Sequence, residues 1–162
     1  MPDVPAVRGQ ADLTPGLDAS VERVFADDGP LTRAVPEFEP RPGQRDMAAA
    51  VARVFARGGI LLVEAGTGTG KTLAYLAPAI LSGHRVLVST GTKNLQEQIY
   101  FKDIPLLREA LGVPFTAACM KGRGNYLCLH RFAAMRDDIE AGSPADRVYL
   151  AMVDEWAVST ST

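Results

Sequence analysis

The residues best suited to chemistry lie together in residues 65–72, whose sequence is AGTGTGKT. Their spacing matches the phosphate-binding loop G-x-x-x-x-G-K-[ST], with Ala65 in the first glycine position. Glycines allow successive backbone N–H groups to turn inward around anionic oxygens, and the positive end of a following helix adds to the attraction. We expect Lys71 to reach the β- and γ-phosphates of a nucleotide and the Thr72 hydroxyl to ligate Mg²⁺. The predicted phosphate-binding residues are Ala65, Gly66, Thr67, Gly68, Thr69, Gly70, Lys71 and Thr72.

The flanking residues predict the elements that such a loop needs. Residues 59–63 form a short apolar run typical of a buried parallel strand. After the loop, apolar residues recur at helical spacing until Gly83, which favours a helix end. Strand, loop and helix therefore follow one another in the order that a nucleotide site requires.

The alternation of predicted strands and helices continues along the chain and predicts an α/β fold. Further strands are expected at 85–90 and 114–119, and helices near 17–25, 44–57, 93–102, 104–111 and after Ser143. Such alternation predicts a parallel sheet flanked by helices, with its ligand at the carboxyl ends of the strands. Residues 1–15 contain three prolines among small and polar residues and are expected to form a loose tail.

Composition limits the class of protein. The chain has 162 residues, of which 47% are hydrophobic, enough for the core of one domain. It contains no apolar run of about 20 residues that could cross a bilayer, and two cysteines favour a reducing compartment, so the expected location is cytoplasmic, away from membranes. The net charge is −2, but residues 41–136 hold 13 basic and five acidic side chains, a weak indication of a polyanionic partner.

Four stretches together carry a family resemblance. They are EPRPGQ at 39–44, EAGTGTGKT at 64–72, STGTKNLQEQ at 89–98 and KGRGNYLC at 121–128. In this order they resemble the N-terminal part of the DinG/XPD-like ATP-dependent DNA helicases of superfamily 2, of the bacterial DinG or YoaA type. The resemblance covers roughly residues 37–157 and implies a RecA-like nucleotide-binding sheet, a role in DNA repair, and 5'-to-3' unwinding by a full-length protein that works as a monomer.

The resemblance also implies roles for single residues. Gln44 matches a glutamine whose amide can donate to and accept from adenine, which would select ATP. Single-stranded DNA phosphates are expected at Thr90, Gly91, Thr92 and Asn94, although Thr92 or Asn94 could instead cap the next helix. Cys128 matches the first of four ligands of a 4Fe-4S cluster in the full-length protein, and the other three ligands are not in this chain. Cys119 does not fit that motif and is expected to be a buried small hydrophobic residue. For Tyr126, packing against its loop is favoured over stacking on a base.

The predicted domains are a tail and short helix at 1–36, the first part of the ATP-binding domain at 37–120, and the start of an iron-sulfur domain at 121–162. Hydrolysis also needs an acidic Walker B element and an arginine, and neither is evident. Asp154 and Glu155 lie in a segment with helical spacing, not at the end of a predicted strand. We therefore expect an N-terminal fragment that does not hydrolyse ATP alone. Two alternatives stay open: a P-loop kinase for a small molecule, and a nucleotide-binding remnant without catalysis.

Overall fold

The computed structural model describes residues 16–35, 38–140 and 143–159. Of residues 137–140 only the backbone is described. The chain divides into two compact units between Ala118 and Cys119. The predicted loose tail lies outside the described residues. No helix in the described ranges is long and apolar enough to cross a membrane.

Helices dominate the first unit. They are α1 (Leu17–Val24), α2 (Pro30–Ala34), α3 (Pro42–Arg57), α4 (Lys71–Leu81), α5 (Lys93–Gln98), a π-helix (Ile99–Asp103) and α6 (Ile104–Leu111). Helix α3 begins two residues before the predicted start, because Pro42 suits the first helical turn. Helix α2 was not predicted. The helix expected over 93–102 is instead α5 continued by the π-helix, which runs directly into α6.

The core of this unit forms where α1, α3 and α4 pack together. The predicted apolar stripe of α1 is confirmed, since Leu17, Val21, Val24 and Phe25 are all buried. The apolar residues that recur at helical spacing in α3, which are Met47, Val51, Val54 and Phe55, are only half-buried. The residues that α3 buries fully are instead small ones, Ala48 and Ala52, together with Gln44. Small side chains allow α3 to approach α4 closely, and a pattern based on large apolar residues overlooks them.

The predicted parallel sheet is not confirmed. None of the described residues is assigned to a strand, and 59–63, 85–90 and 114–119 are neither helical nor paired in a ladder. Exposure nevertheless alternates: Ile60 and Leu62 are 92% and 90% exposed, whereas Leu61 and Val63 are 37% and 43% exposed. This period of two is that of an extended chain. A strand needs a hydrogen-bonding neighbour to belong to a sheet, and these segments find none in the described ranges.

The second unit contains a short 3₁₀-helix (Arg123–Asn125) and two helices, α7 (Leu129–Glu140) and α8 (Pro144–Ser159), which pack on each other. The predicted start of α8 is confirmed, because the Ser143 hydroxyl accepts a 3.3 Å hydrogen bond from the Asp146 N–H. Asp154 and Glu155 lie within α8, as expected. Leu150 is the buried residue of this helix, whereas Val148 and Met152 are exposed.

Candidate functional site

The ammonium group of Lys71 folds back over the start of the phosphate-binding loop. Its Nζ donates a 2.8 Å hydrogen bond to the Ala65 carbonyl and a second one to the Gly66 carbonyl. The Thr69 hydroxyl donates to the same Gly66 carbonyl at 3.0 Å. The loop is thus closed around a positive charge at the N-terminus of α4, where helix N–H groups lack intrahelical partners. This combination attracts an anion.

Two glycines of the loop adopt a backbone conformation that L-residues rarely take. Gly68 and Gly70 have φ of 75° and 78°. A Cβ on Gly70 would also lie only 2.1 Å from the Gln44 Nε2 atom. Position 70 therefore requires glycine both for its conformation and for its close neighbour.

Gln44 fixes the end of the loop from α3. Its side chain is only 4% exposed, and its Nε2 donates a 3.0 Å hydrogen bond to the Gly70 carbonyl. The Oε1 atom is buried and has no partner among the described residues. An unpaired buried acceptor costs about 1–3 kcal/mol, so this oxygen is suited to a ligand that brings a donor.

Arg41 also contacts the loop, at the Gly68 carbonyl. It was not predicted as a site residue. It is the N-cap of α3, one turn before Gln44, and its Nη1 donates a 2.8 Å hydrogen bond to the Gly68 carbonyl. The spacing of Arg41 and Gln44 places them on one helix face. That spacing was visible in the sequence, but the loop carbonyl that Arg41 contacts was not.

Thr72 lies at the start of α4, directly after Lys71. Its side chain hydrogen-bonds with Tyr75, one turn along the helix. Burial is the main cause that raises the pKa of the Tyr75 phenol; the bond with Thr72 acts in the opposite direction, and the nearby charge of Asp103 raises the pKa further. The hydroxyl predicted to ligate Mg²⁺ thus already has a polar partner within the protein.

The turn at 90–94 is held by its own hydrogen bonds. The Thr90 hydroxyl donates to the Thr92 carbonyl at 3.2 Å, and the Thr92 hydroxyl accepts from the Leu95 N–H at 3.3 Å. Thr92 is therefore the N-cap of α5, as the alternative interpretation predicted. Gly91 and Asn94 are exposed and remain accessible to a ligand.

The two cysteines of this chain cannot form the predicted cluster by themselves, as expected from the sequence. Cys119 is half-buried and Cys128 is exposed, and both are free thiols. A 4Fe-4S cluster needs four thiolates, whereas the chain has two cysteines. In the described ranges, no group of three or more His, Cys, Asp or Glu side chains could hold a metal. Tyr126 packs against its own loop, where its hydroxyl accepts a 2.8 Å hydrogen bond from the Lys121 N–H.

Comparison with known proteins shows which class of protein uses this loop. The model of the DEAD/DEAH box helicase family matches residues 41–125, just over half of the chain. The chain belongs to the DEAD/DEAH box helicase family. The matched range of this helicase family begins at Arg41 and contains Gln44, the phosphate-binding loop and the turn at 90–94, and it ends before Cys128.

Individual relatives agree with the family. The chain is 53% identical over 107 residues to the ATP-dependent DNA helicase YoaA of Escherichia coli, covering 66% of the chain and 17% of that protein. It is 40% identical over 142 residues to YoaA of Haemophilus influenzae, covering 88% and 22%. It is 42% identical over 150 residues to the ATP-dependent DNA helicase DinG of Salmonella typhimurium, covering 88% and 20%. The chain therefore spans about a fifth of the length of these curated relatives.

The resemblance to DinG-like and YoaA-like helicases is thus confirmed. Membership of the helicase family implies a P-loop fold of the RecA type and a nucleotide site for ATP with Mg²⁺. It disfavours the alternative of a small-molecule kinase.

Proposed function

We propose that this chain supplies the ATP site, and part of the single-stranded DNA contact, of an ATP-dependent DNA helicase that acts in DNA repair with 5'-to-3' polarity. The observation that carries the proposal is the arrangement around Gln44. Its amide nitrogen holds the Gly70 carbonyl while its buried Oε1 stays unpaired beside the loop. The Gln44 side chain therefore fixes the loop through its Nε2 and offers an unpaired acceptor, its Oε1.

The free Oε1 of Gln44 would favour adenine over guanine. The exocyclic amino group of adenine is a hydrogen-bond donor, whereas guanine has a carbonyl oxygen at the corresponding position. Pairing the buried oxygen with a donor removes its desolvation cost, and placing a second acceptor against it adds to that cost. ATP is therefore the expected nucleotide, and GTP is expected to be rejected.

The phosphates are expected at Lys71 and at the N–H groups where α4 begins. On nucleotide binding the Lys71 ammonium exchanges the carbonyls of Ala65 and Gly66 for phosphate oxygens, which are stronger charged acceptors. Thr72 would hold Mg²⁺, an ion that neutralises charge on the β- and γ-phosphates. No side chain is assigned to activate the attacking water, so we expect the chain by itself to bind ATP without hydrolysing it.

The DNA contact is proposed at the turn 90–94. Gly91 exposes backbone and Asn94 exposes an amide, and both groups can reach phosphate oxygens. The Thr92 hydroxyl is used by the Leu95 N–H, so its contribution is to hold the turn rather than to bind DNA. The net positive charge of residues 41–136 favours a polyanion.

Titration of the purified 162-residue chain with a fluorescent ATP analogue and Mg²⁺ tests the proposal. Lys71→Ala is expected to weaken binding at least about ten-fold, a loss of about 1.4 kcal/mol. Arg53→Ala removes the same charge from an exposed position on α3 and is the matched control, with an expected change below about two-fold. Equal affinities for the two variants would contradict the proposed site. ATP turnover stimulated by single-stranded DNA in this chain would contradict its lack of catalytic competence.

A further inference from the structure

Phe101 is an exposed aromatic side chain that the nucleotide site does not use. It is 62% exposed, whereas every other phenylalanine or tyrosine described in the first unit is buried or half-buried. Single exposed apolar side chains are common on protein surfaces. What Phe101 can do therefore depends on where it lies and on what holds its ring.

Phe101 lies on the helix that begins at the turn 90–94. It belongs to the π-helix, which continues α5 without a break, since the backbone from Gln98 to Ile104 stays right-handed and helical. Turns of π-helix are rare and are found frequently at functional sites. Asn94 precedes Phe101 by seven residues, about two helical turns or about 10 Å along the axis. Both side chains are exposed, so they lie on the same side of this continuous helix.

The ring of Phe101 is held by its neighbour in the chain. The rings of Tyr100 and Phe101 meet edge to face, with centroids 5.1 Å apart and planes at 85°. Tyr100 is itself half-buried, and in this geometry it covers at most one face of the Phe101 ring. The other face is open to solvent. A ring that is already ordered loses less conformational entropy when a flat ligand stacks on it.

The charges around Phe101 indicate which part of a nucleic acid the ring suits. The stretch 93–111 carries three basic side chains and three acidic ones, so their formal charges cancel. Phosphate attraction is therefore not the main force available beside Phe101. Bases stack on aromatic side chains with little regard to sequence, because every base has a flat π-face. The open face of Phe101 thus fits a base rather than a phosphate.

We propose that Phe101 stacks on a base of single-stranded DNA and extends the DNA contact from the turn at 90–94 along the exposed side of α5 and the π-helix. The groups at Gly91 and Asn94 hold the phosphates, and a base further along the same strand lies on the Phe101 ring. This inference rests on the function proposed above, because the turn must bind the strand for the ring to reach a base.

Two probes of equal length separate the base contact from the phosphate contact: an oligothymidylate and an abasic oligodeoxyribose phosphate, which has the same phosphates but no bases. The wild-type chain is expected to bind the oligothymidylate at least about five-fold more tightly than the abasic probe, as one stacked base would give. In Phe101→Ala the two affinities are expected to lie within about two-fold of each other. Asn94→Ala is expected to weaken both probes equally and to keep the wild-type ratio.

Tyr149→Ala is the matched control, since it removes an aromatic ring of similar exposure from α8. It is expected to keep the wild-type ratio of the two affinities. Loss of the ratio in Tyr149→Ala, with Phe101→Ala unchanged, would place the base contact on α8 and overturn the inference.

Two further variants test stacking itself. Phe101→Leu keeps an apolar side chain but removes the ring, so it is expected to lose the preference for the oligothymidylate as Phe101→Ala does. Phe101→Trp, made in a chain that also carries Trp156→Phe, is expected to keep the preference and to show tryptophan fluorescence that the oligothymidylate quenches and the abasic probe does not. An unchanged ratio in both Phe101→Ala and Phe101→Leu, or equal binding of the two probes by wild type, would overturn this inference alone. A wild-type chain that binds neither probe would overturn the proposed DNA contact as well.

Discussion

The phosphate-binding loop and the turn at 90–94, where the DNA contact is proposed, are both short connections that precede a helix, but they are held in different ways. Side chains of another helix hold the loop, since Arg41 and Gln44 of α3 donate to the carbonyls of Gly68 and Gly70. The turn uses only its own residues, with Thr90 donating to the Thr92 carbonyl and Thr92 accepting from Leu95. The loop therefore depends on tertiary packing, whereas the turn is stable locally.

This difference has a functional consequence. A site that is held by side chains of another helix loses little conformational entropy when a ligand binds, because its groups are already ordered. It is also sensitive to changes that are distant in sequence but close in space. A locally held turn tolerates change around it and can move as a unit, which suits a segment that responds to a neighbouring ligand.

Replacing Gly70 is expected to give the largest effect and to test the dependence of the loop on α3. Gly70→Ala places a side chain at φ of 78° and drives its Cβ into Gln44. We expect a loss of about 1–3 kcal/mol in unfolding free energy and at least about ten-fold weaker ATP binding. Urea unfolding and titration with a fluorescent ATP analogue measure the two quantities.

Gly91→Ala is the counterpart in the turn and the control for Gly70→Ala. Gly91 does not have a positive φ, and a Cβ there would meet no atom within 4 Å. Unfolding free energy is expected to change by less than about 0.5 kcal/mol. If Gly91→Ala proved as harmful as Gly70→Ala, the contrast between an externally braced loop and a locally held turn would be wrong.

The same contrast explains what could be predicted from sequence. The α1 stripe, the Ser143 cap and the capping alternative for Thr92 follow from neighbours within four residues, and all three are found in the structure. Local spacing is sufficient where the partners are close along the chain. The family and its phosphate-binding loop were also recognisable, because residues 65–72 form one continuous motif.

Features that depend on distant partners were missed. Arg41 contacts a carbonyl 27 residues away, and the π-helix that carries Asp103 has no simple periodic signature. The sheet is the opposite case: the apolar run at 59–63 predicts a strand, and its alternating exposure is that of an extended chain, but a strand also requires a neighbour. In the described ranges that neighbour is lacking, so residue pattern alone predicted more regular structure than the chain forms.

Gln44→Met separates the two roles of the buried amide and is expected to have an intermediate effect. Methionine has a similar volume but neither donates to the Gly70 carbonyl nor leaves an unpaired Oε1. The loss of the hydrogen bond to Gly70 is offset by the removal of the unpaired buried oxygen. The unfolding free energy is therefore expected to stay within about 1 kcal/mol of wild type. The preference for ATP over GTP, at least about ten-fold in wild type, is expected to fall below about two-fold, because it rests on Oε1.

Arg41→Met is the matched control for Gln44→Met in competitive displacement by the two nucleotides. It releases the Gly68 carbonyl from an exposed side chain, and it is expected to weaken ATP and GTP binding equally by a few-fold. A change in nucleotide preference on Arg41→Met, or an unchanged preference on Gln44→Met, would refute the assignment of adenine selection to Gln44.

The smallest expected effect distinguishes holding the turn from binding DNA. Thr92→Ala removes the cap of α5 and is expected to cost about 1 kcal/mol in urea unfolding, whereas Asn94→Ala should cost less than about 0.5 kcal/mol. The order reverses for affinity to an oligothymidylate, since the exposed Asn94 amide is free to meet phosphate and the Thr92 hydroxyl is not. We expect Asn94→Ala to weaken DNA binding about three-fold and Thr92→Ala to change it less. Equal losses of affinity would mean that the group that caps α5 also binds DNA. The turn would then resemble the loop, whose own structure depends on its ligand-binding groups.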